Sequence, residues 1–231
     1  MQAAIVNALV ANLTRLWGAV DLAELRRTLG PVVDAAVAVV QSRRASAALA
    51  AQTYYRAFRV AEGEGPLEVR TADATEPDYV RGLLLGGALA GFRDARSRGL
   101  SGAKVVEAGL VNVVGSGRKV VADGARETIL GAVLEDPKAV GYQRVTDGSP
   151  CAFCAMIASR GVIAYSEGSA GFKAHGHCGC TAEPAFEGSE IIPLNAKFRD
   201  AWRESTAGRS GNEALNAFRR HLSRDQVPAT G

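Results

Sequence analysis

The chain has 231 residues, of which 47% are hydrophobic, 22% charged and 6% aromatic, so wholesale disorder is excluded and one large or two small domains are allowed. A net charge of +3, from 27 basic and 24 acidic residues, is too mild to mark a nucleic-acid protein by itself. No apolar run approaches the roughly 20 residues that span a bilayer, which excludes an integral membrane protein, and Met1 to Trp17 lacks the pattern of a secretory signal.

Leu9, Leu13, Leu16 and Val20 recur at helical spacing and predict a first helix. Pro31 suits the first turn of a second, which runs through Val33, Val37, Val40, Ala47 and Ala51 to about Ala61. Gly63, Gly65 and Pro66 stop it, and the polar stretch from Glu68 to Pro77 reads as a loop. A third helix starts near Asp78 and ends at Arg98, with Gly99 as its C-terminal cap. Ser101 caps a fourth, whose buried stripe is Val105, Val106, Leu110, Val113 and Val114. Val120, Val121, Ile129, Leu130, Val133 and Leu134 extend that pattern toward Pro137. Gly115 and Gly117 weaken its middle by about 1 kcal/mol each relative to Ala. The string Gly115-Ser-Gly-Arg-Lys119 lacks the spacing of a nucleotide-binding motif, and no strand pattern precedes it. Residues 1–138 therefore read as a helical docking arm or an ordinary bundle. Their alanine-rich faces bury less area than leucine would, at roughly 25 cal/mol per Å². The region is expected to gain stability from other subunits.

From about Val140 the helical period is lost. Tyr142 to Val145, Val162 to Tyr165 and Thr181 to Phe186 read as short strands. The charged end of the chain offers two short helices, Ala196 to Arg203 and Glu213 to Leu222, and a frayed stretch from Ser223 to Gly231. The expected fold is mainly α: a helical region over 1–138, a small zinc-stapled α+β module over 139–186, and a short helical tail over 187–231.

All four cysteines and two of the three histidines fall between Cys151 and Cys180. The string is Cys151-Ala-Phe-Cys154, twenty residues, then His175-Gly-His177-Cys178-Gly-Cys180. Thiolates and imidazoles in two such half-sites suit tetrahedral zinc, at ligand distances of about 2.0–2.3 Å. Six donors compete for four places. Two disulfides are the competing explanation, disfavoured in a reducing compartment. A zinc deaminase needs a His-x-Glu element before the cysteine pair, and here every histidine but none of that pattern lies downstream. A structural zinc with no catalytic residue is therefore the expectation. Phe153, Tyr165, Phe172 and Phe186 are expected to pack around it, and Glu167 and Glu183 are read as the only nearby acids.

Gly141-Tyr-Gln-Arg-Val145, Ser149-Pro-Cys-Ala-Phe-Cys154, Ala170-Gly-Phe-Lys-Ala-His175 and Cys178-Gly-Cys180-Thr-Ala together resemble the C-terminal module of phage minor head proteins similar to protein F of phage Mu, in the actinobacteriophage-type branch. The family pattern is Cys-x-x-Cys followed by His-x-x-Cys-x-Cys. The resemblance implies Cys151, Cys154, His175, Cys178 and Cys180 as the metal set, and leaves His177 as an alternative donor. It also implies a minor capsid protein of the virion interior, made in the host cytoplasm and associated with the portal during procapsid assembly. The major capsid or scaffolding protein and phage DNA are further partners it implies, with a part in genome packaging or ejection and no membrane.

Members of this branch are often labelled capsid maturation proteases. A serine protease needs a histidine base, and outside the metal cluster only His221 remains. A DNA-binding module is the other alternative, built on Arg43, Arg44, Arg56, Arg59, Arg93, Arg96, Arg98, Arg118, Lys119, Arg219 and Arg220. Acidic residues interleave with these, which favours solvated helix faces.

Overall fold

The computed structural model describes residues 2–147, 150–163, 172 and 174–225. Among them run the helices α1 (Gln2–Trp17), α2 (Leu25–Ala61), α3 (Pro77–Ser97) and α4 (Ala103–Glu135), then strand β1 (Ala139–Val145), helix α5 (Ala152–Ala158), strand β2 (Thr181–Phe186), and helices α6 (Pro193–Thr206) and α7 (Gly211–Asp225). The protein is mainly α, as its periodicity predicts. Two compact units divide it: one takes in 1–54, 71–128 and 173–178, the other 55–70, 129–172 and 179–231.

The first unit is a helical bundle. Leu9, Leu13 and Trp17 of α1 meet Leu29, Val33 and Val40 of α2, Val80, Leu84 and Phe92 of α3, and Val105, Val113 and Val120 of α4. α2 starts at Leu25, so Pro31 lies inside the helix rather than in its first turn. Proline in a helix interior costs about 3 kcal/mol. Burial of Leu29, Val32 and Val33 on either side of it works against that cost. α4 is continuous through both of its central glycines, Gly115 and Gly117, and Gly117 is a contact point between helices. A Cβ on Gly117 would lie 3.2 Å from Leu13 Cδ1 and 3.3 Å from Val40 Cγ2. The Phe92 and Trp17 rings fill the equivalent space at Gly109.

The loop before α3 is pinned to the same bundle. Arg44 is buried; it donates to Val120 O at 3.2 Å and Asp73 O at 3.1 Å, and pairs with Glu127. Thr128 Oγ1 accepts the Ala72 N–H at 2.9 Å.

Among the described residues, the second unit joins a two-stranded sheet to α5, α6 and α7 and to the C-terminal ends of α2 and α4. β1 and β2 are antiparallel, with Tyr142 opposite Pro184, Arg144 opposite Ala182 and Val145 opposite Thr181. The expected strand at Val162 to Tyr165 reduces to one bridge, Ile163 to Tyr142; Ala164 and Tyr165 lie outside the described residues. α5 was not expected. It is only seven residues long, and its alanines hide a helical stripe: Ala152, Ala155 and Ala158 pack on Phe198 and Ala201 of α6 and Phe218 of α7. Trp202 and Phe218 meet edge to face, centroids 5.1 Å apart. α6 and α7 both outrun their expected ends; Ser223 and Arg224 are helical where fraying was expected, and 226–231 lie outside the described residues.

A buried ionic cluster ties the rest of this unit together. Asp136 accepts from Arg59 Nε at 2.7 Å and Nη2 at 3.2 Å, from the Tyr55 hydroxyl at 3.0 Å and from the Lys138 N–H at 2.9 Å. Arg59 also donates to the carbonyls of Glu64 and Gly65. Burial raises the Asp136 carboxyl, but Arg59, the Lys138 N–H and the Tyr55 hydroxyl outweigh it and hold the group below the usual carboxylate range. Burial, and then the charge of Asp136, push the Tyr55 phenol well above its ordinary value. Arg44 and Arg59 must therefore leave the set of DNA-contacting candidates. Both side chains are buried and ion-paired, because their carbonyl and carboxylate partners lie within the fold.

Candidate metal centre

Cys151 is the N-cap of α5: its Sγ accepts the Cys154 N–H at 3.4 Å. The Cys-x-x-Cys pair therefore opens a helix rather than a free turn. Cys151 is exposed and Cys154 buried. Cys180 is buried one residue before β2, where pairing of Val145 with Thr181 brings the end of β1 alongside. There Asp147 Oδ2 accepts the Gly179 N–H at 3.0 Å. A Cβ on Gly179 would stand 3.0 Å from the Asp147 carboxyl carbon, so the Cys178-Gly-Cys180 turn closes directly on this carboxylate.

Arg144 approaches Cys154 from the sheet. It is 1% exposed, and its Nη1 lies 3.6 Å from Cys154 Sγ. Its guanidinium covers the Phe172 ring, 3.7 Å from the centroid, and Tyr142 lies against that same ring at 6.1 Å between centroids.

The 174–178 stretch rests on α4 within the first unit. His177 takes a left-handed φ of 64°, and its N–H points to Gly115 O at 3.4 Å. Its ring occupies the space a Cβ on Gly115 would need. One and two turns further along α4, Lys119 pairs with Asp123 at 2.6 Å, and Asp123 with Arg126 at 2.8 Å. Arg126 is 1% exposed and donates to Cys178 O at 2.8 Å. The Cys178 N–H turns back on His175 O at 3.2 Å. The Gly-Ser-Gly-Arg-Lys string is thus a platform on a helix for the histidine-bearing loop, not a phosphate cradle.

Two overlapping groups of donors have their ligand atoms within 4.8 Å of one another: Cys151 with Cys154 and His175, and Cys154 with Cys178 and Cys180. This cysteine-histidine cluster could hold a metal ion. Ligands placed tetrahedrally at about 2.3 Å from zinc stand about 3.8 Å apart, inside that limit. No disulfide joins any of the four cysteines. His177 belongs to neither group; its ring is engaged at Gly115.

Of the aromatic residues expected here, Phe172 packs on Arg144 and Tyr142. Phe186 is not: it stacks on Phe58, with Tyr55 at its edge, in the cluster above Asp136. Phe153 is half-buried on α5, and Tyr165 lies outside the described residues, as does Glu167. Three polar residues that hold the cluster escaped the sequence reading: Arg126, Arg144 and Asp147. Alternation along β1 could have placed Arg144 on one face with Tyr142. Helical spacing sets Arg126 among Ala122, Ile129 and Leu130, where a charge in the buried stripe is itself a signal. Asp147 stands four residues before Cys151, nearly as close to the donors in sequence as Glu183, which follows Cys180 by three.

No described helix is long and apolar enough to cross a membrane. No curated protein and no solved structure matches the chain. A protein-family model described as VG15 protein matches residues 1–205, which takes in α1 to α5, both strands and the whole donor cluster. The chain belongs to the VG15 protein family, a phage-related family.

Proposed function

We propose that the chain is a structural minor capsid protein of a tailed phage. In this reading it joins the portal in the head interior during procapsid assembly, and a zinc ion staples the second half of the chain. Membership of a phage-related family gives the setting. The observation that carries the reading is the donor set: four thiols and an imidazole gathered in two overlapping groups. Four of Cys151, Cys154, His175, Cys178 and Cys180 would hold the ion, and zinc would supply cross-linking rather than an open coordination position for chemistry.

Energetics favours a structural ion here. The core around α5 is built on Ala152, Ala155, Ala158 and Ala201, with Phe198 and Phe218 as its large members. Alanine buries little area, so this region gains less from burial than the leucine- and valine-rich bundle. Structural zinc contributes about 10–16 kcal/mol in finger peptides. The long helices α2, α3 and α4 would serve as the docking surface for portal, shell or scaffolding protein. The DNA-binding alternative is weakened by the loss of Arg44 and Arg59 to internal ion pairs.

Co-expression with portal and major capsid protein tests the proposal. The chain should copurify with portal and enter procapsids in few copies, and Cys180→Ser should reduce its incorporation. Complete absence from procapsids and virions would overturn it, as would shell-protein cleavage that depends on His221.

A further inference from the structure

Arg144 is a buried cation whose surroundings are largely fixed. Its backbone is in the β ladder opposite Ala182, and its carbonyl accepts from Asn195 Nδ2 at 3.1 Å, itself a buried side chain. One face of the guanidinium lies on Phe172. Its Nη1 points at Cys154 Sγ. Burying a charge is costly unless an opposite charge and hydrogen bonds accompany it. A zinc ion with three thiolates and one imidazole carries a net charge of about −1, and with four thiolates about −2, counted from the charges of the ions. The guanidinium supplies +1 at hydrogen-bonding distance from one of the sulfurs.

The geometry points to Arg144 as the counter-cation and positioning residue of the metal centre. This rests on the zinc reading above. Arg144 offsets the negative charge of the metal–thiolate group and, by donating to the Cys154 sulfur, lowers that sulfur's electron donation to the ion. Phe172 lies against the guanidinium, and Asn195 fixes the backbone that carries it. Residues that orient metal ligands in this way are typically worth 10–100-fold in metal affinity.

The full chain is tested as three proteins: parent, Arg144→Met and Arg144→Lys. Zinc affinity is read by competition with a chromophoric chelator, and the sulfur environment by the charge-transfer band of the cobalt-substituted protein. Arg144→Met should weaken zinc about 10–100-fold at unchanged helix content and move the cobalt band to lower energy. Arg144→Lys, which keeps the charge but loses the planar fork, should recover most of the affinity and leave the band displaced. Equal affinity and an unmoved band in a folded Arg144→Met overturn the inference. Should that variant fail to fold, Arg144→Lys decides: a displaced band with near-parental affinity supports the inference, and an unmoved band or a loss of affinity overturns it. A parent that binds neither zinc nor cobalt would defeat the zinc reading itself and this inference with it.

Discussion

Two glycines on α3 answer the same substitution with opposite signs. At Gly91 an added Cβ would lie 2.3 Å from Ala108 O, 2.7 Å from Ala108 C and 2.9 Å from Gly109 Cα. All three are backbone atoms of α4, so no side-chain rotation relieves the overlap. Comfortable contact needs about 3.5 Å. The helices must therefore part by on the order of 1 Å at a crossing flanked by Ala88, Phe92, Ala95 and Val105, all buried. Overpacking of this kind costs about 1–3 kcal/mol, and a backbone clash belongs at the upper end. Ala gains about 1 kcal/mol over Gly in helix propensity. The net for Gly91→Ala is about 2 kcal/mol of destabilisation, or about 4–8 °C in Tm for a chain of this size. At Gly86 no atom lies within 4 Å of the added Cβ, so only the propensity gain remains and Gly86→Ala should stabilise by up to about 1 kcal/mol. Subtracting one variant from the other cancels propensity and isolates the clash at about 3 kcal/mol. Urea unfolding followed by far-UV circular dichroism measures both. A Gly91→Ala protein as stable as Gly86→Ala would refute this account of the α3–α4 crossing.

Asp136→Asn should destabilise the protein by about 3–5 kcal/mol, since it breaks a pair whose carboxylate is fully buried; denaturant midpoints measure this. The same carboxylate has a lowered folded pKa, so its contribution is fully present above the unfolded value of about 3.9 and is lost as pH falls through the depressed folded value. Melting temperatures across acid pH should thus fall more steeply for the parent than for Asp136→Asn; parallel curves would contradict the assignment. Asp147→Ala removes a charged acceptor from the Gly179 N–H, worth about 1.5–3 kcal/mol, and should weaken zinc by about tenfold to a hundredfold in chelator competition. Cys154→Ser should abolish the near-UV signal of the sheet and α5 region while most far-UV helicity stays; unchanged spectra in both regions would count against a metal staple.

The helical bundle was legible because its signal is local. Leucines and valines at three- and four-residue spacing mark α1, α3 and α4, and burial follows that spacing. What stayed hidden depends on contacts between distant parts of the chain. Gly115 and Gly117 read as weak points in a helix, yet Gly117 seats Leu13 and Val40, and Gly115 seats His177. Pro31 reads as a helix start, but flanking burial carries α2 back to Leu25. α5 stayed hidden because alanine marks neither a core nor a surface until Phe198 and Phe218 are brought against it. Spacing offered six candidate donors, and the resemblance chose five of them; four cysteines and His175 fall in groups that could hold a metal ion. Their polar supports carried weaker signals, since Arg126, Arg144 and Asp147 meet Cys178, Cys154 and Gly179 through helix packing and strand register.

Elemental analysis of the native chain, purified without chelator and paired with a free-thiol count, bears most directly on the whole interpretation. The expected result is about one zinc per chain, with thiols that become titratable only after the metal is removed. A metal-free protein that is nonetheless fully folded, or one whose four sulfurs are locked in two S–S bonds, would contradict it.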